Sequence, residues 1–119
     1  ARKIEAERDK AERALTLETL VDDWDKLHLA GKRPRYAAEA VRAIKHAFAR
    51  DLSKPAARLT RAEAVGVLDG LAKAGRVAIA GRTLAYARAC YAWAQKRGKV
   101  ATNPFADLPI PAGVIARER

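Results

Sequence analysis

The 119-residue sequence predicts an all-α fold: four core helices in a bundle, with a further N-terminal helix or linker in front of them. Three observations predict it. Apolar residues recur at the 3.6-residue spacing of a helix face in four separate segments. Each segment is bounded by a capping residue, a glycine or a proline. Nowhere do apolar and polar residues alternate as they do in a half-buried strand.

Residues 1–14 (ARKIEAERDKAERA) are polar with alternating signs and lack an apolar stripe. Asp9 and Arg13 make a favourable i,i+4 pair. The segment reads as a solvated helix or linker entering the domain. Thr16 then caps a helix predicted to run to about Ala30, with Leu17, Leu20, Val21, Trp24 and Leu27 facing inward. Glu18, Asp22 and Asp23 lie in its first turns, where the helix dipole favours negative charge. Gly31 ends it. Pro34 punctuates the chain, and a second helix is predicted from about Arg35 to Arg50. Its inner face is Ala37, Ala40, Val41, Ile44 and Phe48; Arg35, Glu39, Arg42 and His46 fall on the other. Leu52 to Leu59 is a loop around Pro55.

Thr60-Arg61-Ala62-Glu63 has the form of a capping box, in which threonine and glutamate each satisfy a free backbone N–H. It opens a third helix carrying Val65, Leu68, Leu71 and Ala72 inward and stopping at Gly75. The fourth helix is predicted over residues 79–97, with Leu84, Ala87, Tyr91 and Ala94 inward and Gly98 as its C-terminal cap. Pro104 disfavours helical geometry at Asn103, so the helix cannot resume there. Pro109 and Pro111 make the tail extended and linker-like.

A mass of 13.0 kDa fits one domain, and an apolar fraction of 50% supplies a core without disulfides or metal. The single cysteine, Cys90, excludes an internal disulfide framework and fits a reducing compartment. No apolar run approaches the roughly 18 residues of a membrane span, and the charged N-terminus is unlike a signal peptide. The sequence has no methionine, which reads as a piece of something longer.

The net charge is +10, and it is unevenly spread. Residues 14–31 hold Glu18, Asp22, Asp23 and Asp25 against Lys26 alone. Residues 32–61 hold nine bases against Glu39 and Asp51, and Gly70 to Ala106 hold seven bases and no acid. Two basic segments and one acidic one imply a molecule with a positive side, which attracts polyanions.

Sites for covalent chemistry are not legible. His28, His46 and Cys90 lack zinc-ligand spacing. Neither of the common phosphate-cradling glycine patterns occurs. Asp22, Asp23 and Asp25 read as a solvated helix start, Cys90 as a small core residue, and Tyr36, Tyr86 and Tyr91 as packing or contact residues. No cofactor and no metal are expected, and the chain alone is not expected to be an enzyme. A duplex-binding surface has more support. A helix start offers free N–H groups and a positive dipole end to a phosphate. The second helix begins beside Lys32, Arg33, Arg35 and Tyr36, and the fourth beside Arg76, Arg82 and Thr83. The two starts are expected side by side on one sugar-phosphate groove. Arg82, Tyr86, Ala89 and Trp93 share a second face of the fourth helix, with Arg82 and Tyr86 as groove readers and Trp93 as a packing residue. Arg42, Lys45 and Arg88 fit phosphate contact and plain solvation equally.

These residues together resemble the core-binding domain of tyrosine recombinases, of the phage and prophage integrase kind. The resemblance covers about residues 15–110. It rests on the capped helix with Thr16 and Trp24, the basic turn GKRPRY, and the entry Leu59-Thr60. It rests too on Arg82, Leu84, Trp93 and Ala94 along the fourth helix, and on the exit Gly98, Asn103-Pro104-Phe105 and Leu108. Many family members carry Pro-x-Leu-Gly after the second helix; here Asp51-Leu52-Ser53-Lys54-Pro55 departs from that pattern. The resemblance implies a SAM-like orthogonal bundle of four helices that forms half of a clamp on double-stranded DNA, with the second and fourth helices facing the major groove. By position it carries over the bases at the start of the second helix and Arg82, Thr83 and Tyr86; Arg42 and Arg76 join them on charge. It implies that tyrosine-based strand cleavage resides in a separate C-terminal domain. Residues 1–14 would then connect to an arm-binding domain, and 111–119 would lead to the catalytic domain. The implied partners are DNA and, at full length, other integrase protomers, with no membrane and no small-molecule substrate. The implied location is bacterial or phage-encoded, cytoplasmic and nucleoid-associated. The competing reading is a basic helical interaction module docking an acidic protein. A helix-turn-helix regulator is disfavoured, because that motif needs consecutive helices joined by a tight turn.

Overall fold

The computed structural model describes residues 2–109, with side chains from Ile4 onward. Residues 111–119, read above as a linker, lie outside the described residues. The described residues hold five α-helices: α1 (Arg2–Ala14), α2 (Leu17–Leu27), α3 (Pro34–Ala47), α4 (Arg61–Lys73) and α5 (Val77–Lys96). Among the described residues there is no strand, and the fold is all-α. The predicted second and fourth helices are α3 and α5.

The helix boundaries follow from local chemistry. The Thr16 hydroxyl accepts from the Thr19 N–H and caps α2. The Thr60–Glu63 capping box opens α4 with both reciprocal bonds made. Pro34 occupies the first turn of α3, where its missing N–H costs nothing. Both α4 and α5 end in a glycine at positive φ, Gly75 at 84° and Gly98 at 74°. In each case two further backbone bonds close the end. Gly75 donates to Ala72 and Arg76 to Leu71; Gly98 donates to Gln95 and Lys99 to Ala94. This is the Schellman arrangement, and it satisfies carbonyls that the helix itself cannot.

The core joins α2, α3 and α5. Its largest fully buried side chains are Trp24, Tyr91, Phe48 and Phe105. All four residues expected on the inner face of α5 (Leu84, Ala87, Tyr91 and Ala94) are buried, as are Ala37, Ala40, Ile44 and Phe48 of the α3 segment. Of the residues expected inward on α4, Leu68 is buried while Val65, Leu71 and Ala72 are half-buried, and Ala64 is buried beside Leu68; Leu27 departs furthest from expectation, at 58% exposed. Helix α2 ends there, and the 3-10 turn Leu29–Gly31 redirects the chain so that Leu29 is buried instead.

The connections are bound into the bundle. The loop before α4 lies along the start of α2. Leu17 and Glu18 donate to the carbonyls of Lys54 and Leu52, and Ala56 donates to Leu15. Two of the free N–H groups at the start of α2 are satisfied in this way. The acidic start of α2 is also neutralised, since Asp22 pairs with Lys45 at 2.7 Å and Asp23 with Lys99 at 3.7 Å. Helix α1 is held at its last turns by Arg58, which pairs with Asp9 and Glu12. Beyond α5, Phe105 enters the core edge-on to Phe48, 5.6 Å between ring centroids, and lies 5.5 Å from Tyr91. Trp93 is half-buried and packs against His28, whose other neighbour is Trp24; both ring pairs are 6.5 Å apart. The cations of Arg97 and Lys99 lie over the Trp93 ring.

Candidate nucleic-acid interface

Two groups stand out among the arginines and lysines, beside Lys26, Arg50, Lys73 and Lys96, which are exposed and also without an ion-pair or hydrogen-bond partner among the described residues. Lys45, Lys54, Arg58 and Lys99 are paired with carboxylates across elements or turns. Arg61 donates to the Ala106 carbonyl. Arg88 donates from Nε to the Phe105 carbonyl at 3.1 Å and from Nη2 to the Leu108 carbonyl at 2.5 Å. The Arg88 backbone carbonyl in turn accepts from the Asn103 side chain, whose oxygen accepts from the Phe105 N–H. Arg88 is therefore a bracket that holds the exit segment against α5. Its sequence reading as a phosphate contact or a solvated base gives way to this role.

The other group is different. Lys32, Arg33, Arg35, Arg42, Arg76 and Arg82 are all exposed. None of them has an ion-pair or hydrogen-bonding side-chain partner among the described residues. These are the six bases singled out from the sequence. They lie at the approach to α3, on its outer face, at the start of α5 and on its second turn.

Helices α3 and α5 meet around a cleft of about 300 Å³ lined by Glu39, Arg42, Ala43 and His46 from α3, and by Ile79, Arg82, Thr83 and Tyr86 from α5. Small side chains permit the approach: Ala40 is fully buried, and Ala43 is half-buried at the rim. Arg42 and Arg82 flank the cleft from opposite helices. Tyr36 is 41% exposed and rests edge-on against Tyr86, with ring centroids 5.7 Å apart.

Three sequence expectations are corrected by this geometry. The two helix starts are not apposed. Tyr36, in the first turn of α3, meets Tyr86, ten residues past Arg76 and so roughly 15 Å further along α5. The helices share a cleft along their flanks, not a pair of beginnings. Thr83 is not at the surface. It is 0% exposed, because its position one residue past Arg82 turns it into the α3–α5 contact, and its hydroxyl has no partner among the described residues. Tyr86 is only 8% exposed, and its hydroxyl donates to Glu39. Burial first, then this bond, pushes the phenol up to about 12, so it stays a donor at neutral pH.

Glu39, His46 and Ile79 line the cleft without having been picked out as site residues. The available signal for Glu39 was its isolation as an acid on an otherwise basic helix face. Ile79 carried a signal of another kind, since it is apolar yet 40% exposed. Among the described residues, no three His, Cys, Asp or Glu side chains converge as metal ligands, and no helix is long and apolar enough to cross a membrane. Cys90 is buried, which pushes its thiol up to about 12 and away from the reactive thiolate form. Compared with known protein families, curated proteins and solved structures, the chain has no match.

Proposed function

We propose that the chain is a duplex-DNA-binding module, of the kind that clamps the core site in a site-specific tyrosine recombinase. One observation carries the reading: six exposed bases cluster on and beside α3 and α5 without intramolecular partners among the described residues, whereas Lys45, Lys54, Arg58, Arg61, Arg88 and Lys99 are engaged by carboxylates or carbonyls. An unpaired cation next to a phosphate gains Coulomb energy without first breaking an internal bond. It also releases a condensed counterion from the duplex. The motif order described above, from Thr16 and Trp24 to Asn103-Pro104-Phe105, supports the recombinase assignment. In this reading, Lys32, Arg33, Arg35 and Arg76 hold the backbone, and Arg42 and Arg82 project beside the cleft toward the groove. The chain contributes binding, and strand cleavage belongs to another domain.

The test is a titration of duplex DNA at a series of salt concentrations. Four phosphate contacts predict a slope of about −3.6 in log affinity against log salt, and a loss of roughly a hundredfold between 50 and 200 mM. A flat salt response, together with salt-sensitive capture of an acidic protein, would replace this reading with the protein-docking one.

A further inference from the structure

We propose that Glu39 is a base-reading residue: held in place by Tyr86, it accepts a hydrogen bond from an exocyclic amine in the major groove and selects cytosine at one position. The inference rests on the duplex-binding reading and adds its sequence preference.

Among the described residues, Glu39 is the only carboxylate that lines the cleft. Arg42, His46 and Arg82 line it too, yet no arginine or histidine nitrogen lies within ion-pair distance of the Glu39 carboxylate among the described residues. A carboxylate in the middle of a phosphate-binding face repels the backbone it faces, so charge alone gives no reason for it. What holds it is a neutral donor, the Tyr86 hydroxyl. The Tyr86 ring is itself fixed by burial and by the edge contact with Tyr36. Glu39 is thus positioned by one oxygen, with no close ion-pair partner among the described residues, and acceptor capacity remains.

Base edges that present only acceptors, guanine O6 and N7 or thymine O4, are repelled by such a group. Cytosine N4 donates to it. Adenine N6 also donates, but the adjacent N7 acceptor opposes a second carboxylate oxygen, so cytosine is favoured. The guanine of the same base pair presents O6 and N7 beside that amine, which suits the arginine donors flanking the cleft. Glu39 and one of its neighbouring arginines therefore match the two halves of a single C·G pair.

The experiment selects bound duplexes from a randomised pool with the 119-residue chain, with E39Q and with Y86F, and sequences what is retained. Glutamine keeps an acceptor for the Tyr86 hydroxyl, so the fold is preserved. The unchanged chain is expected to enrich cytosine at one position about fivefold or more, the low end of what a good base contact gives. E39Q is expected to move that enrichment toward adenine, whose N6 and N7 match a carboxamide. Y86F is expected to weaken the cytosine preference while leaving the salt slope unchanged. If E39Q binds duplex and keeps the cytosine preference, or if the unchanged chain binds with no preference, Glu39 does not read a base and the duplex-binding function stands. If the unchanged chain binds no duplex even at low salt, the function itself falls, and this inference with it.

Discussion

Arg88 and Arg82 lie six residues apart on α5 with the same charge, yet their variants should behave in opposite ways. In Arg88→Met the aliphatic stem is kept, and the bonds to the Phe105 and Leu108 carbonyls, at 3.1 and 2.5 Å, are lost. A hydrogen bond from a charged donor contributes roughly 1.5–3 kcal/mol, and water recovers part of it at a half-buried site. The expected loss is about 2 kcal/mol, which lowers the melting temperature by about 8 °C in a domain of this size. If the exit segment also comes loose, Phe105 leaves its place against Phe48 and Tyr91, and a further 3–5 kcal/mol or so goes with it. Urea unfolding measures the loss. Duplex titration of the folded variant, at a temperature below its transition, should show an unchanged salt slope. Arg82→Gln should instead leave the urea midpoint alone and weaken duplex binding about tenfold, more on a selected sequence than on a random one. An Arg88→Met chain with normal stability and a slope reduced by about one would refute the bracket and make Arg88 a phosphate ligand.

Two further outcomes follow from buried groups. The Thr83 hydroxyl is fully buried and unpartnered, and an orphaned buried donor costs about 1–3 kcal/mol, so Thr83→Val should raise stability by roughly 1 kcal/mol; a loss of that size in urea unfolding would reveal a hidden partner. Burial raises the Cys90 thiol from its ordinary 9.0 to about 12, raises the Tyr86 phenol from 10.0 to about 12, and raises Tyr91 as well. The folded chain thus holds these protons more tightly than the unfolded one, so stability is complete below about pH 9 and falls as pH climbs toward 12, by about 1.4 kcal/mol per pH unit for each group in its window. The urea midpoint measured from pH 8 to 11 should decline, and a midpoint that is flat or rising would contradict the burial of these groups.

Much of the fold was legible because its signals are local. Thr16, the Thr60–Glu63 box, Gly75 and Gly98 act on atoms within a few residues of themselves, and each does what its position implies. The inner faces of α3 and α5 were legible for the same reason, through periodicity. Leu27 was misplaced because periodicity does not register where a helix stops. Once α2 ends, the next turn decides which leucine goes inward. The candidate site was legible only in part. Composition treats every arginine as equivalent, whereas Arg88 is engaged by carbonyls 17 and 20 residues further on and Arg82 is not. Thr83 and Tyr86 were read as surface residues because nothing local shows that α3 lies against that flank of α5. Glu39 takes its meaning from a hydroxyl 47 residues distant, a relation that no spacing rule contains.

Both tryptophans of the chain touch one imidazole, that of His28. Indole emission responds to the ring's immediate surroundings, and Trp93 sits on the same helix as Arg82 and Tyr86. The protein consequently carries its own optical probe. Its ultraviolet fluorescence arises from two rings gathered about a single side chain, and it should report any rearrangement transmitted along α5 without an attached dye.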